Sequence, residues 1–215
     1  MLLEPWTIGM FPPGENSSDA LTFYDTRLLS KGHYLDLVGK VGKLRGNYNL
    51  SDTFSEYADA HSWFYSLSAE YGRKKTLGSH GWYVEPQAQL TYGHVNSGDY
   101  VSTQGTHGQL DGFNSLIFRV GTTIGNHYAK PEAANFYAKV FWNREFLGAT
   151  DYSFVDKNNA TLSGSKDYKD SWVTVGFGMN GNLNKRTNLY LDIEKNFGGE
   201  LSSNWLLDMG LRWEF

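Results

Sequence analysis

The last eleven residues, Trp205–Phe215 (W-L-L-D-M-G-L-R-W-E-F), restrict the fold of this chain more than any other stretch. Taken with a period of two, Trp205, Leu207, Met209, Leu211, Trp213 and Phe215 share one face, and Leu206, Asp208, Gly210, Arg212 and Glu214 share the other. Successive side chains of a strand point to opposite faces, so the stretch reads as a strand with one wholly apolar face. A helix would spread the same charges around its circumference. An apolar outside, a charged inside and aromatics near the ends form the pattern of a membrane-spanning β-strand. An antiparallel sheet of a water-soluble protein also alternates, so one strand does not separate the two readings.

The rhythm recurs upstream. Alternating segments cover Leu21–Leu29, His33–Leu44, Ser62–Lys74, Trp82–Val95, Gly112–Gly125, Ala134–Phe146, Ser171–Leu183 and Leu189–Phe197, which with the last strand makes about nine. Pro86 interrupts one of them and points to an edge strand or a bulge. Residues 1–20 read as irregular and 21–215 as one β-domain. Short turns are expected at 30–32, 77–81, 184–187 and 198–202, and long polar loops at 45–60, 96–111 and 148–170. Short turns at one end and long loops at the other are the habit of outer-membrane barrels.

Composition excludes several classes. No run of about 18 apolar residues exists, so no transmembrane helix is expected; spanning strands need only about ten residues each, half of them polar. There is no cysteine, hence no disulfide or zinc–thiolate site. The net charge of −4 carries no basic stripe, which argues against nucleic acid. The opening M-L-L-E-P-W-T-I-G-M-F-P-P-G lacks a basic n-region and is interrupted by Glu4, Pro5, Pro12 and Pro13, so it is not a secretory signal. An export signal is expected outside this sequence.

The outward parity carries almost no charge at the strand centres, where a Lys or Arg in a bilayer would cost about 2–4 kcal/mol. Lys43, Arg73 and Arg144 share it but sit near strand ends, within reach of headgroups. The inward parity carries Asp36, Lys40, Glu70, Glu85, Arg119, Lys139, Glu145, Asp192, Glu194, Asp208, Arg212 and Glu214. A dry core does not accept so many ionisable groups, whereas a water-filled lumen does. Glycines 42, 72, 93, 121, 176, 178 and 210 have the same parity; they leave room for another chain or let aromatics from adjacent strands lie across them. The other reading, a solvated sheet face without a site, needs a covering layer on the apolar side, and no helix of this chain supplies one.

Other motifs lead nowhere. Gly176–Gly181 matches G-x-G-x-x-G but lies in a strand followed by a turn, the wrong context for a dinucleotide site. The histidines at 33, 61, 80, 94, 107 and 127 are dispersed, so no metal site and no cofactor are expected. There is no G-x-S-x-G elbow.

The stretches G-H-Y-L-D-L-V-G-K-V-G-K-L (32–44), H-S-W-F-Y-S-L-S-A-E-Y-G-R (61–73), G-W-Y-V-E-P-Q-A-Q-L-T-Y-G (81–93), D-G-F-N-S-L-I-F-R-V-G (111–121), N-L-Y-L-D-I-E-K-N-F-G-G (188–199) and G-L-R-W-E-F (210–215) resemble the C-terminal translocator domain of type V autotransporters. The W-Y-V-E-P-Q-A-Q-L block and the terminal aromatic are the most specific, and the resemblance covers about 21–215. It implies an all-β, antiparallel transmembrane β-barrel of about twelve strands, of which nine to ten are present here. It also implies a helix threading the pore and a secreted passenger ahead of the barrel. The sequence departs from that pattern in lacking the first strands, the linker helix with its Asn-containing cleavage site, the passenger and the signal peptide, so an N-terminally truncated barrel is expected.

The resemblance places the chain in the cell outer membrane of a Gram-negative bacterium. Its implied partners are outer-membrane lipid, the barrel assembly machinery and the passenger domain of a longer precursor. Leu211, Trp213 and Phe215 would form the C-terminal signal read by that machinery. Asp36, Lys40, Glu70, Glu85, Arg119, Lys139, Asp192, Glu194, Asp208, Arg212 and Glu214 would line the pore. No catalytic residue is implied. Two alternatives stay open: a barrel protease or phospholipase, for which the neighbours Ser79-His80 lie in a loop and His80 and His94 are the residues to change, and an adhesin binding through loops 96–111 and 148–170.

Overall fold

The computed structural model describes residues 14–51, 56–78, 80–126, 134–184, 186–199 and 205–213. Its strands are β1 (Gly14–Leu28), β2 (His33–Ser51), β3 (Glu56–Arg73), β4 (Lys75–Leu77), β5 (Trp82–Val95), β6 (Gly98–Val101), β7 (His107–Leu110), β8 (Phe113–Asn126), β9 (Asn135–Glu145), β10 (Ala149–Val155), β11 (Thr161–Asp167), β12 (Ser171–Asn184), β13 (Thr187–Phe197) and β14 (Leu206–Trp213). Nine of them form one antiparallel path, β1-β2-β3-β5-β8-β9-β12-β13-β14, with β4 attached beside β5. The sheet curls like part of a barrel wall, and among the described residues no ladder joins β1 to β14.

The expected alternation holds across this path. Trp205, Leu207, Met209, Leu211 and Trp213 are 60% to 69% exposed on the outward face. Trp63, Leu67, Val140, Trp142 and Phe177 on other strands are exposed on the same side. Such a surface, wrapped around a curled sheet, is stable only against an apolar medium.

Several boundaries differ from the sequence expectation. The first strand opens at Gly14, not Leu21, because G-E-N-S-S-D-A pairs residue by residue with Gly42–Tyr48 of β2. The loop expected at 45–60 is mostly strand: β2 runs to Ser51 and β3 starts at Glu56. In both cases the neighbouring ladder holds residues whose side chains do not alternate. The short turn expected at 198–202 follows β13 at the end of the sheet that carries the long loops, and the next strand begins only at Leu206.

Pro86 lies in a central strand, not on an edge, and pairs with Thr122 of β8. On its other side the β3 ladder stops at Gly72↔Gln87 and the β4 ladder resumes at Lys75↔Val84. The missing proline N–H therefore falls where β5 has no partner, while Lys74 turns away to donate its N–H to the Gly32 carbonyl at 2.8 Å.

The loops expected at 96–111 and 148–170 are two hairpins that pair with each other. They form a four-stranded sheet in the order β11-β10-β7-β6 above the long-loop end. Tyr100, Tyr152 and Phe154 pack along one of its faces, with Tyr100 and Phe154 rings 6.3 Å apart. Beneath it, Leu44, Phe64, Val95 and Phe113 form a buried cluster on the inner face, joined by Ile117 and Tyr168. The inner face is thus two layers, apolar toward the long loops and ionic toward the short turns.

Candidate functional site

The ionic layer is built by contacts that skip a strand. Tyr34 of β2 stands opposite Gly72 of β3, which stands opposite Gln87 of β5. With only a hydrogen at Gly72, the Tyr34 ring crosses β3, and a Cβ at that position would collide with it. Its hydroxyl lies 3.0 Å from Glu70 and 3.0 Å from Glu85. One hydroxyl proton serves one acceptor at a time, so the second carboxylate needs other donors. Gln87 Nε2 donates to Glu85 at 2.8 Å, and the Lys74 ammonium lies 4.0 Å from its second oxygen. Arg119 of β8 reaches over Gln89 of β5 to Glu70 at 2.6 Å and stacks its guanidinium 4.5 Å from the Phe141 ring centre.

The same construction repeats further along the sheet. Tyr137 of β9 crosses Gly178 of β12, and its hydroxyl donates to Asp192 of β13. Lys139 crosses Gly176 and binds Asp192 at 2.9 Å and Glu194 at 2.5 Å. Tyr83 crosses Gly125, and Tyr190 crosses Gly210. Of the two roles open to the inward glycines, those at 42, 72, 121, 178 and 210 receive aromatic rings. Tyr34, Tyr83, Tyr137 and Tyr190 form one row just inside the short-turn end, each within a few residues of the start of its strand. This row was missed in the sequence; its signal was a tyrosine just after each short turn, facing an inward glycine.

The residues expected to line the pore sort as follows. Glu70, Glu85 and Arg119 form one cluster, and Lys139, Asp192 and Glu194 a second. The two meet at a cavity of about 240 Å³ lined by Tyr83, Glu85, Arg119, Tyr137, Lys139 and Phe141. Asp36 stands opposite Glu70 in register, and its buried Oδ1 has no hydrogen-bond partner among the described residues. Lys40 lies on the same face opposite Ser66, outside both clusters. Asp208 faces Asp192 across β13–β14. Arg212 pairs through its backbone with Asn188. Glu214 and Phe215 lie outside the described residues. Leu211 and Trp213 sit on the outward face opposite Leu189 and Thr187.

At the top of the inner face Glu145 is 1% exposed. It accepts from the Ser115 hydroxyl, from Leu116 N–H at 2.7 Å and from Leu147 N–H at 3.0 Å. Its own N–H donates to the Asp170 carbonyl at 2.9 Å. The carboxylate therefore fastens the start of the 146–170 excursion to β8, and the backbone N–H of the same residue holds its end. Of the residues the enzyme reading turns on, the His80 carbonyl accepts from the Asn126 amide at 3.2 Å, His94 bonds Asn114 at 2.8 Å, and Ser79 is outside the described residues.

These features match known proteins. A family model described as the autotransporter beta-domain matches residues 13–194. The chain is 28% identical over 207 residues to a probable autotransporter, YcgV, of Escherichia coli (strain K12), covering 94% of this chain and 21% of that protein. It is 27% identical over 188 residues to the BrkA autotransporter of Bordetella pertussis, covering 86% and 18%. It thus spans about a fifth of the length of the curated relatives it matches. The crystal structure of the beta domain of BrkA superimposes with a TM-score of 0.69 at 22% identity, over 96% of this chain and 78% of that one. The chain belongs to the autotransporter beta-domain family, the outer-membrane translocator barrels of Gram-negative bacteria.

Proposed function

We propose that this chain is the membrane-embedded part of a longer precursor, one β-domain running to Phe215 that anchors a passenger in the outer membrane and passes it to the cell surface. The observation that carries the reading is the phase relation of the two faces. Apolar side chains meet lipid on one side, and paired ions hold an aqueous surface on the other, across nine neighbouring strands. Charges at this density are tolerated beside water and not in a dry core.

In this reading Asp36, Lys40, Glu70, Glu85, Arg119, Lys139, Asp192, Glu194, Asp208, Arg212 and Glu214 line the bore. Leu211, Trp213 and Phe215 are the signal taken up by the barrel assembly machinery. The short turns face the periplasm and the long loops the exterior. Six of the bore groups, Glu70, Glu85, Arg119, Lys139, Asp192 and Glu194, are held in structural ion pairs, which supports a conduit without a catalytic step of its own.

The test is expression in Gram-negative cells behind an export leader and an epitope-tagged passenger. The expected result is a tag removed by protease added outside intact cells, with the β-domain in the outer-membrane fraction. A tag that stays protected while the β-domain reaches that fraction would overturn the export role.

One observation favours a second contribution. The β11-β10-β7-β6 sheet presents Gln109, Asp151, Ser153, Ser163 and Ser165 around a polar depression of about 460 Å³, a structured surface suited to adhesion. Deleting 149–167 would abolish cell binding and spare membrane insertion if that surface contributes.

A further inference from the structure

The cations of this protein are compensated unequally. On the inner face Arg119 and Lys139 each bind a carboxylate. On the outward face Arg27 and Arg45 do so as well, with Asp25 and Asp19. Lys195 and Arg144, both outward at the long-loop end, have no carboxylate within salt-bridge distance among the described residues. Lys195 stands opposite Val175 of β12, and its ammonium lies 4.8 Å from the Trp205 ring centre and 5.3 Å from that of Phe197. Arg144 donates to the Ser171 hydroxyl at 3.1 Å, a neutral partner. The acids next to them in sequence, Glu145 and Glu194, belong to the opposite parity and are engaged on the inner face, Glu145 by Ser115 and two backbone N–H groups and Glu194 by Lys139, while Asp170 accepts the Ser171 N–H at 2.6 Å.

A row of apolar side chains, Trp142, Val173 and Phe197, runs in register between these two cations. Aromatic faces hold a cation in place but do not neutralise it, and an uncompensated charge beside hydrocarbon is costly. The counter-charge must come from the medium on that face.

We propose that Lys195 and Arg144, with the Trp142–Val173–Phe197 row between them, form a binding site for a lipid headgroup carrying two phosphates in the outer leaflet. The site rests on the membrane placement given above. From Ser171 to Val175 the two cations are offset by about 13 Å along the strands, and by about 10 Å across two strands. One phosphate does not span that offset. Two phosphates on one head, approached by an extended Lys and an extended Arg, do. The apolar row then lies between the two contacts, against the apolar part of the same lipid.

The test uses the chain refolded in zwitterionic micelles and titrated separately with bis-phosphorylated lipid A, phosphatidylglycerol and phosphatidylcholine, with bound lipid counted by native mass spectrometry. Retention is expected in that order, lipid A first. Lys195→Gln and Arg144→Gln should each weaken lipid A retention about fivefold, the worth of one basic residue near a charged headgroup. Lys195→Arg should keep it, and Arg73→Gln, at the opposite end, should leave it unchanged. Equal retention of the three lipids, or a Lys195→Gln protein that behaves as the parent, would overturn the site. Insertion of the same samples into vesicles is read in parallel by heat-modifiable mobility. A parent chain that inserts without preferring lipid A removes this site alone, whereas one that does not insert removes the membrane reading and the site with it.

Discussion

Tyr137 of β9 lies over Gly178 of β12, and its hydroxyl passes beyond that strand to donate to Asp192 of β13. One residue pair therefore ties together three strands. Any side chain at position 178 must displace the ring. Gly178→Val is expected to destabilise the refolded chain by about 1–3 kcal/mol through overpacking, read as a lower urea midpoint. Tyr137→Phe keeps the ring and removes only the hydroxyl, for about 1 kcal/mol. The combination Tyr137→Ala with Gly178→Ala should cost less than the sum of the singles, since both act on one contact. Strict additivity would show that ring and glycine are independent.

Ser115 and Glu145 are both about 1% exposed, and among the described residues no cation pairs with the carboxylate. Its donors are a hydroxyl and two backbone N–H groups, so removing it strands all three. Glu145→Ala is expected to cost about 1–3 kcal/mol and to free the 149–167 hairpin. Limited proteolysis should then cut within that hairpin while β8 and β9 stay protected. Cleavage no faster than in the parent would mean the hairpin is held elsewhere.

Arg119 bridges to Glu70 and shields the Tyr34–Glu85 cluster. The pair is partly solvated, 32% and 14% exposed, so its loss is screened by solvent. Arg119→Met is expected to lower stability by about 1–2 kcal/mol, and Arg119→Met with Glu70→Gln to recover part of that. A double variant worse than Arg119→Met would contradict the ion-pair account.

Beyond the barrel wall, the N–H groups of Ala160 and Asn158 bond Asp156, and the Lys169 N–H bonds Asp167; these hold both carboxyls below the usual carboxylate range. A depressed folded pKa contributes order that is complete above the unfolded value and fades as pH falls through the folded one. The β10–β11 turn should therefore keep slow amide exchange at Ala160 through mildly acidic pH and lose it only below the ordinary carboxylate range. Asp156→Ala should remove that protection at every pH. A turn that loosens already near neutrality would disprove the assignment.

Trp213 and Leu211 are exposed on the outward face of the last strand. If they belong to the assembly signal, Trp213→Ala and Phe215→Asp should lower the amount of β-domain in the outer-membrane fraction several-fold while leaving detergent refolding intact. Equal loss in both assays would point to stability instead of recognition.

The lipid-facing and ion-bearing sides were legible from residue 33 onward because strand parity is fixed by covalent geometry. Asp36, Glu70, Arg119 and Lys139 could be placed on one face without coordinates. Their partners could not. Glu70 meets Arg119 and Lys139 meets Glu194 only because the sheet curls, bringing every second strand together over a glycine or a glutamine.

The polar stretches misled for a related reason. Gly14–Ala20, β6, β7, β10 and β11 have no clean apolar alternation, and their strand character comes from hydrogen bonds to a neighbouring backbone. The amino-acid order alone determined which residues share the apolar outer face and which the ionic inner face, since that depends on local parity. Curvature, strand-skipping ion pairs, the tyrosine row and the sheet above the mouth were decided only in three dimensions, because each depends on distances between segments far apart in the chain.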